Sequence, residues 1–77
     1  SGVGMSISAN KISGIRAANV SDVDTAVQSI EHNNANVLCL GSNNVNEGEA
    51  VTIVNSFLSA LFLNEENYVR RVNKFEN

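Results

Sequence analysis

Seventy-seven residues, 43% of them hydrophobic and 17% charged, make at most one small domain, and a chain of this size buries only about 60% of the surface that its unfolded form exposes. The net charge is −3, and the five cations (Lys11, Arg16, Arg70, Arg71, Lys74) are scattered rather than interleaved with aromatic rings, which argues against a nucleic-acid surface. One cysteine excludes an internal disulfide and any paired Cys/His zinc spacing, and the most apolar region, 50–63, is interrupted by Asn55, Ser56 and Ser59 before it reaches the ~20 residues of a bilayer span.

In chain order, Val3 to about Asn10 reads as a short, weakly amphipathic helix that opens in a glycine loop, followed by a turn at Ser13-Gly14. Ile15 to Val20 reads as a short strand. Ser21 and Asp24 have the form of a capping box, and Val23, Ala26, Val27 and Ile30 follow at helical spacing, giving a helix that ends near His32 before Asn33-Asn34. Asn36 to Leu40 is a short apolar run closed by Gly41, the pattern of a parallel strand buried on both faces. Asn46 and Glu49 form a second box ahead of a long apolar helix carrying Ala50, Val51, Ile53, Val54, Phe57, Leu58, Leu61 and Phe62. After Asn64, a last helix from about Glu65 to Phe75 has acids at its start and Arg70, Arg71 and Lys74 toward its end, with Tyr68, Val69, Val72 and Phe75 as its packing face.

Helix, strand, helix, strand, helix, helix is an α/β order whose crossover helix implies parallel strands. Two strands under four helices leave open edges, so further strands are expected before Ser1 or in a partner chain. A reducing, cytoplasmic setting is expected from the lone cysteine, and the first residues lack the basic start and apolar centre of a secretory signal. Asparagine occurs thirteen times, which reads as a compositional bias without functional weight.

Two segments carry chemistry. Ser1-Gly2-Val3-Gly4-Met5-Ser6 leads into Asn10-Lys11 and has the form of a glycine loop that presents backbone N–H groups to an anion, although an ordinary glycine-rich turn into a helix has the same form. His32-Asn33-Asn34-Ala35-Asn36 puts an imidazole beside a carboxamide at a helix end, suited to proton transfer and hydroxyl recognition, or simply to stabilising the carbonyl end of the helix. Cys39 falls within the second strand and reads as an inert core residue.

With Gly14-Ile15-Arg16-Ala17-Ala18, His32 through Leu38, Leu40-Gly41-Ser42 and the closing Arg70-Arg71-Val72 in register, the chain resembles the carboxy-terminal half of ribose-5-phosphate isomerase type B, a family shared with the galactose-6-phosphate isomerase subunits. The resemblance implies a Rossmann-like three-layer parallel sheet, here only its C-terminal part, with residues 1–77 forming one portion of a single isomerase domain. It also implies a dimer or tetramer, no metal or other cofactor, and interconversion of a phosphorylated aldose with its ketose through an enediolate.

By the same resemblance Ser1, Gly2, Val3 and Gly4 would line an anion hole, His32 would protonate the ring oxygen as the sugar opens, Asn33 would bind substrate, and Arg71 would grip the phosphate. Two further family arginines are replaced: Asn67 stands for one, with Arg70 able to reach the same anion, and Asn43 stands for the other near the substrate. The proton-abstracting cysteine or carboxylate and an early Asp-His pair belong to the amino-terminal half, so the seventy-seven residues are expected to be inactive alone, as a fragment or a truncated product. The alternative is a non-catalytic phosphosugar-binding or assembly subunit.

Overall fold

Small side chains decide how the first helix meets the sheet. In a computed structural model that describes residues 2–43 and 45–75, helix α1 (Gly2–Asn10) buries Gly2 and Ser6, one helical turn apart, while Val3, Met5 and Ile7 are 55%, 66% and 57% exposed. That inverts the usual amphipathic pattern and lets the helix backbone approach the strands closely. Ser6 donates its hydroxyl to the carbonyl of Val3 at 2.9 Å and so satisfies itself within the helix.

Strand β1 (Ala17–Asn19) and strand β2 (Val37–Cys39) pair in parallel, in the register Ala17 to Val37, Ala18 to Leu38 and Asn19 to Cys39. Side chains alternate across a strand, so Ala18 and Leu38 share one face while Asn19 and Cys39 share the other. The first face packs against the core of Val20, Ala26 and Ile53, with Leu40, Val45 and Phe57 around it. The second face meets α1, since the Asn19 side chain lies against Gly2. The result is a layered α/β arrangement with the sheet between α1 and the other helices. Both strands are shorter than the expected 15–20 and 36–40. Cys39 is buried, but Val37 and Leu38 are only half-buried, so β2 falls short of the expected burial on both faces; among the described residues each strand has just one neighbour.

Helix α2 (Val23–Asn33) begins one residue later than a Ser21 box requires. Asp22 is the cap: its carboxylate accepts the amide of Thr25 at 2.7 Å and the Thr25 hydroxyl at 3.0 Å. The expected Ser21/Asp24 box is therefore corrected to Asp22 with Thr25, because both carboxylate oxygens of Asp22 find donors three residues on. These bonds, the amide first and the hydroxyl second, hold the Asp22 carboxyl below the ordinary carboxylate range. A carboxyl depressed by folding adds stability at pH values above its unfolded pKa and loses it as pH falls through its folded pKa. Asp22→Ala is thus expected to lower the urea midpoint by a constant amount near neutrality, and the gap to wild type should narrow in acid below the ordinary carboxylate range. A gap unchanged down to complete protonation would show that the carboxylate charge contributes nothing.

The other end of α2 is closed by Asn34 in the left-handed region (φ 50°), with its amide bonded to Ile30 O at 3.0 Å and that of Ala35 to Ser29 O at 2.9 Å. Asparagine is, after glycine, the residue that best tolerates this conformation. Asn36 then ties the loop before β1 to the start of β2: its carboxamide accepts the Arg16 amide at 2.7 Å and donates to Gly14 O at 2.9 Å, while Arg16 Nε reaches Asn34 O at 2.6 Å. Asn10 does the same for α1, pairing with both the N–H and the C=O of Ala17 at 2.7 and 2.9 Å.

Helix α3 (Glu47–Ser59) carries the expected Asn46/Glu49 capping box, with both reciprocal bonds formed. It stops at Ala60, whose backbone is extended, so Leu61 and Phe62 lie beyond the helix rather than in its apolar stripe. Leu63 N donates to Glu31 O at 3.0 Å and pins this segment beside the last turn of α2. Helix α4 (Glu66–Asn73) follows, two residues shorter than expected at its C-terminal end. None of the helices, among the described residues, is long and apolar enough to cross a membrane.

Candidate functional site

The sequence-derived site residues fall into two groups at opposite ends of the sheet. Gly2 opens α1 next to Asn19, the last residue of β1, and next to Gly41, just past β2: a Cβ added at Gly2 would collide with the Asn19 side-chain oxygen and sit 3.0 Å from Gly41 N. Val3 and Gly4 continue that first turn, and Asn43 lies exposed in the turn after β2, so all four belong to the carboxyl end of the strands. Ser1 lies outside the described residues. In open α/β sheets the crevice beyond the strands' carboxyl ends is where ligands bind, and the amino-terminal turn of a helix is the part of it that favours an anion.

His32, Asn33 and Arg71 form the second group, at the amino end of β2. Chain geometry requires this, because α2 runs back along the sheet and hands over to β2 within three residues. Arg71 comes from 38 positions away: its Nη1 lies 3.5 Å from Asn33 Oδ1. The His32 ring is stacked on Tyr68, with centroids 4.6 Å apart and planes 12° from parallel. The Arg71 guanidinium carbon stands 5.5 Å from the centroid of the same Tyr68 ring, within the ~6 Å range of a cation–π contact.

Arg70 does not join this group. It reaches Glu66 at 3.3 Å along the exposed surface of α4, since consecutive helical residues point about 100° apart. Asn67, by contrast, is one helical turn before Arg71 and shares its face. Tyr68 is the component that sequence reasoning read only as packing. An aromatic ring three residues before Arg71, and therefore on the same helix face, was the available signal.

From residue 36 to residue 41 the chain advances along the strand direction by on the order of 15 Å, so the turn at Gly2 and the imidazole lie toward opposite ends of the sheet within one chain. Among the described residues no three His, Cys, Asp or Glu side chains are placed to hold a metal ion together. Cys39 is buried and free, on the sheet face toward α1.

Comparison with known proteins gives a consistent picture. A family model described as Ribose/Galactose Isomerase matches residues 1–75. The probable ribose-5-phosphate isomerase B of Mycoplasma genitalium is 44% identical over 73 residues, which are 95% of this chain and 47% of that protein. A solved mutant of ribose 5-phosphate isomerase type B from Trypanosoma cruzi superposes with a TM-score of 0.94 at 44% identity, over 97% of this chain and 49% of that one. The Mycoplasma genitalium ribose-5-phosphate isomerase B, solved with bound ribulose-5-phosphate, superposes with a TM-score of 0.90 at 44% identity, over 95% and 47%. The chain therefore spans about half the length of the relatives it matches.

Proposed function

The chain belongs to the ribose/galactose isomerase family, and from that premise we propose that it forms the carboxy-terminal portion of an isomerase domain, carrying the anion-binding and ring-opening parts of a sugar-phosphate site. The substrate class is a phosphorylated aldose and its ketose, with ribose 5-phosphate and ribulose 5-phosphate first among them, handled in the cytoplasm without a cofactor. The observation that carries this reading is the convergence of His32, Asn33 and Arg71 from two distant helices.

The chemistry divides as follows. His32 gives a proton to the ring oxygen as the C1 hydroxyl loses its own, and the hemiacetal opens to the free aldehyde, with the imidazole acting as a positioned general acid. Arg71 holds the phosphate by charge-assisted hydrogen bonds, and Asn33 takes a sugar hydroxyl. A base then removes the C2 proton, and the amide turn of Ser1, Gly2, Val3 and Gly4 stabilises the negative oxygen of the enediolate; one such donor is worth roughly 3 kcal/mol of barrier. Return of a proton to C1, with the O2 proton passing to O1, gives the ketose. The base comes from polypeptide outside these seventy-seven residues, so the isolated chain is inactive.

Because the turn and the imidazole sit at opposite ends of the sheet, the site is shared between two copies in a homo-oligomer, each giving its amide turn to the other's His32. The exposure of Val3, Met5 and Ile7 beside the amide turn supports this, since an apolar cluster on the first helix is suited to burial against a second subunit. The direct test is turnover by the complete protein that carries this chain. Ribose 5-phosphate should be converted to ribulose 5-phosphate in a coupled spectrophotometric assay; sugar-phosphate binding with no turnover would instead favour a non-catalytic binding subunit.

A further inference from the structure

The fourth member of the His32 group, beside His32, Asn33 and Arg71, is an aromatic ring with two charged or chargeable neighbours. Tyr68 is half-buried, its ring is nearly parallel to that of His32 at 4.6 Å, and the Arg71 guanidinium approaches the same ring. The segment that carries it is fixed close by, through the Leu63 amide on Glu31 O, one residue before His32. Tyr68 and Arg71 are three residues apart on α4 and so face the same way. A ring stacked on an imidazole removes most of the rotation about its side-chain bonds, which a histidine in the last turn of a helix would otherwise keep.

We infer that Tyr68 is a positioning residue: its ring fixes the plane of the His32 imidazole and the place of the Arg71 guanidinium, so that both meet the sugar phosphate in one preset arrangement. This rests on the ring-opening role of His32 and goes beyond it by assigning the group that orients the imidazole. The ring face is what acts, so the phenol hydroxyl is dispensable.

A purely structural role, stapling α4 to α2, would slow every substrate alike. The test therefore compares two substrates in the complete protein: ribose 5-phosphate, which must open its ring, and D-erythrose 4-phosphate, whose phosphorylated O4 prevents ring closure. Tyr68→Ala should lower kcat for the pentose by about three- to tenfold, the range of an aromatic pair, while kcat for the tetrose stays within about twofold and KM rises for both as Arg71 loses its support. Tyr68→Phe should restore both substrates to wild-type kcat. Tyr68→Leu keeps apolar bulk without a ring plane and should behave like Tyr68→Ala, and it carries the test if the alanine variant does not fold. Equal slowing of both substrates, or failure of Tyr68→Phe to restore the pentose, overturns the inference. His32→Ala in parallel separates the two levels: pentose-selective slowing there but not in Tyr68→Ala overturns the positioning role alone, whereas no selectivity in His32→Ala overturns the ring-opening reading beneath it.

Discussion

Replacing His32 with alanine is expected to reduce kcat for ribose 5-phosphate by about 10²- to 10⁴-fold, the usual contribution of a positioned acid or base, with a far smaller loss on D-erythrose 4-phosphate. The effect is large because ring opening moves two protons, and water can replace the imidazole only without its orientation. Under the proposed mechanism it is selective, because the later transfer between adjacent carbons is assigned to a different base. Structural damage offers a poor explanation in advance: His32 is half-buried in the last turn of α2, and the end of that helix is held by Asn34 and Ala35 through backbone bonds that do not involve the imidazole. Stopped-flow turnover of both sugars checks the claim, and an equal fall for both would remove His32 from ring opening.

Gly2→Ala should have the second largest effect, for a steric reason. The new methyl would meet the Asn19 side-chain oxygen and come within 3.0 Å of Gly41 N. The asparagine can swing aside, but the Gly41 backbone follows directly on β2 and cannot move without disturbing the strand. Helix α1 must therefore retreat, and overpacking of this kind costs about 1–3 kcal/mol of stability. The amide turn retreats with it, and a misplacement of about 1 Å can cost on the order of 10²-fold in rate. Adding Asn19→Ala removes the movable obstacle and leaves the backbone one, so the double variant should regain only part of the lost stability in urea unfolding. Full recovery of both stability and rate would show that Gly41 imposes no limit on how α1 is seated.

Much of the fold could be read from local signals. The Asn46/Glu49 box, the turn at Gly14 and the crossover helix between two short strands all depend on residues a few positions apart, and all are present. What the sequence could not give was non-local. Nothing near Gly2 names Asn19 or Gly41 as the groups that require a glycine, and nothing near His32 names Tyr68. The Asp22 cap was missed by one position because Ser21 and Asp22 are both competent caps, and the choice depends on where Thr25 can reach.

Asn34 and Asn46 were expected at helix ends and stand there, but Asn10 and Asn36 were missed: as composition they look neutral, yet each uses a carboxamide's donor and acceptor together to bridge backbone groups of separate segments. A carboxamide can pair with a peptide group as a second peptide would, which a charged side chain at these positions could not do. The bias thus has structural content at these four positions at least.

For the proposed site, the sequence motifs pointed to two groups of residues, and the proposal joins them across two copies because the parallel crossover that brings α2 back along the sheet carries His32 away from the turn at Gly2. Subunit mixing measures this most directly. In the complete protein, His32→Ala and Gly2→Ala homo-oligomers should each be nearly inactive; combined, dissociated and reassembled in equal amounts, they should recover roughly one quarter of wild-type activity, because half of randomly formed dimers are mixed and each has one intact site of two. No recovery from variants that still assemble with each other would contradict a site completed between two copies.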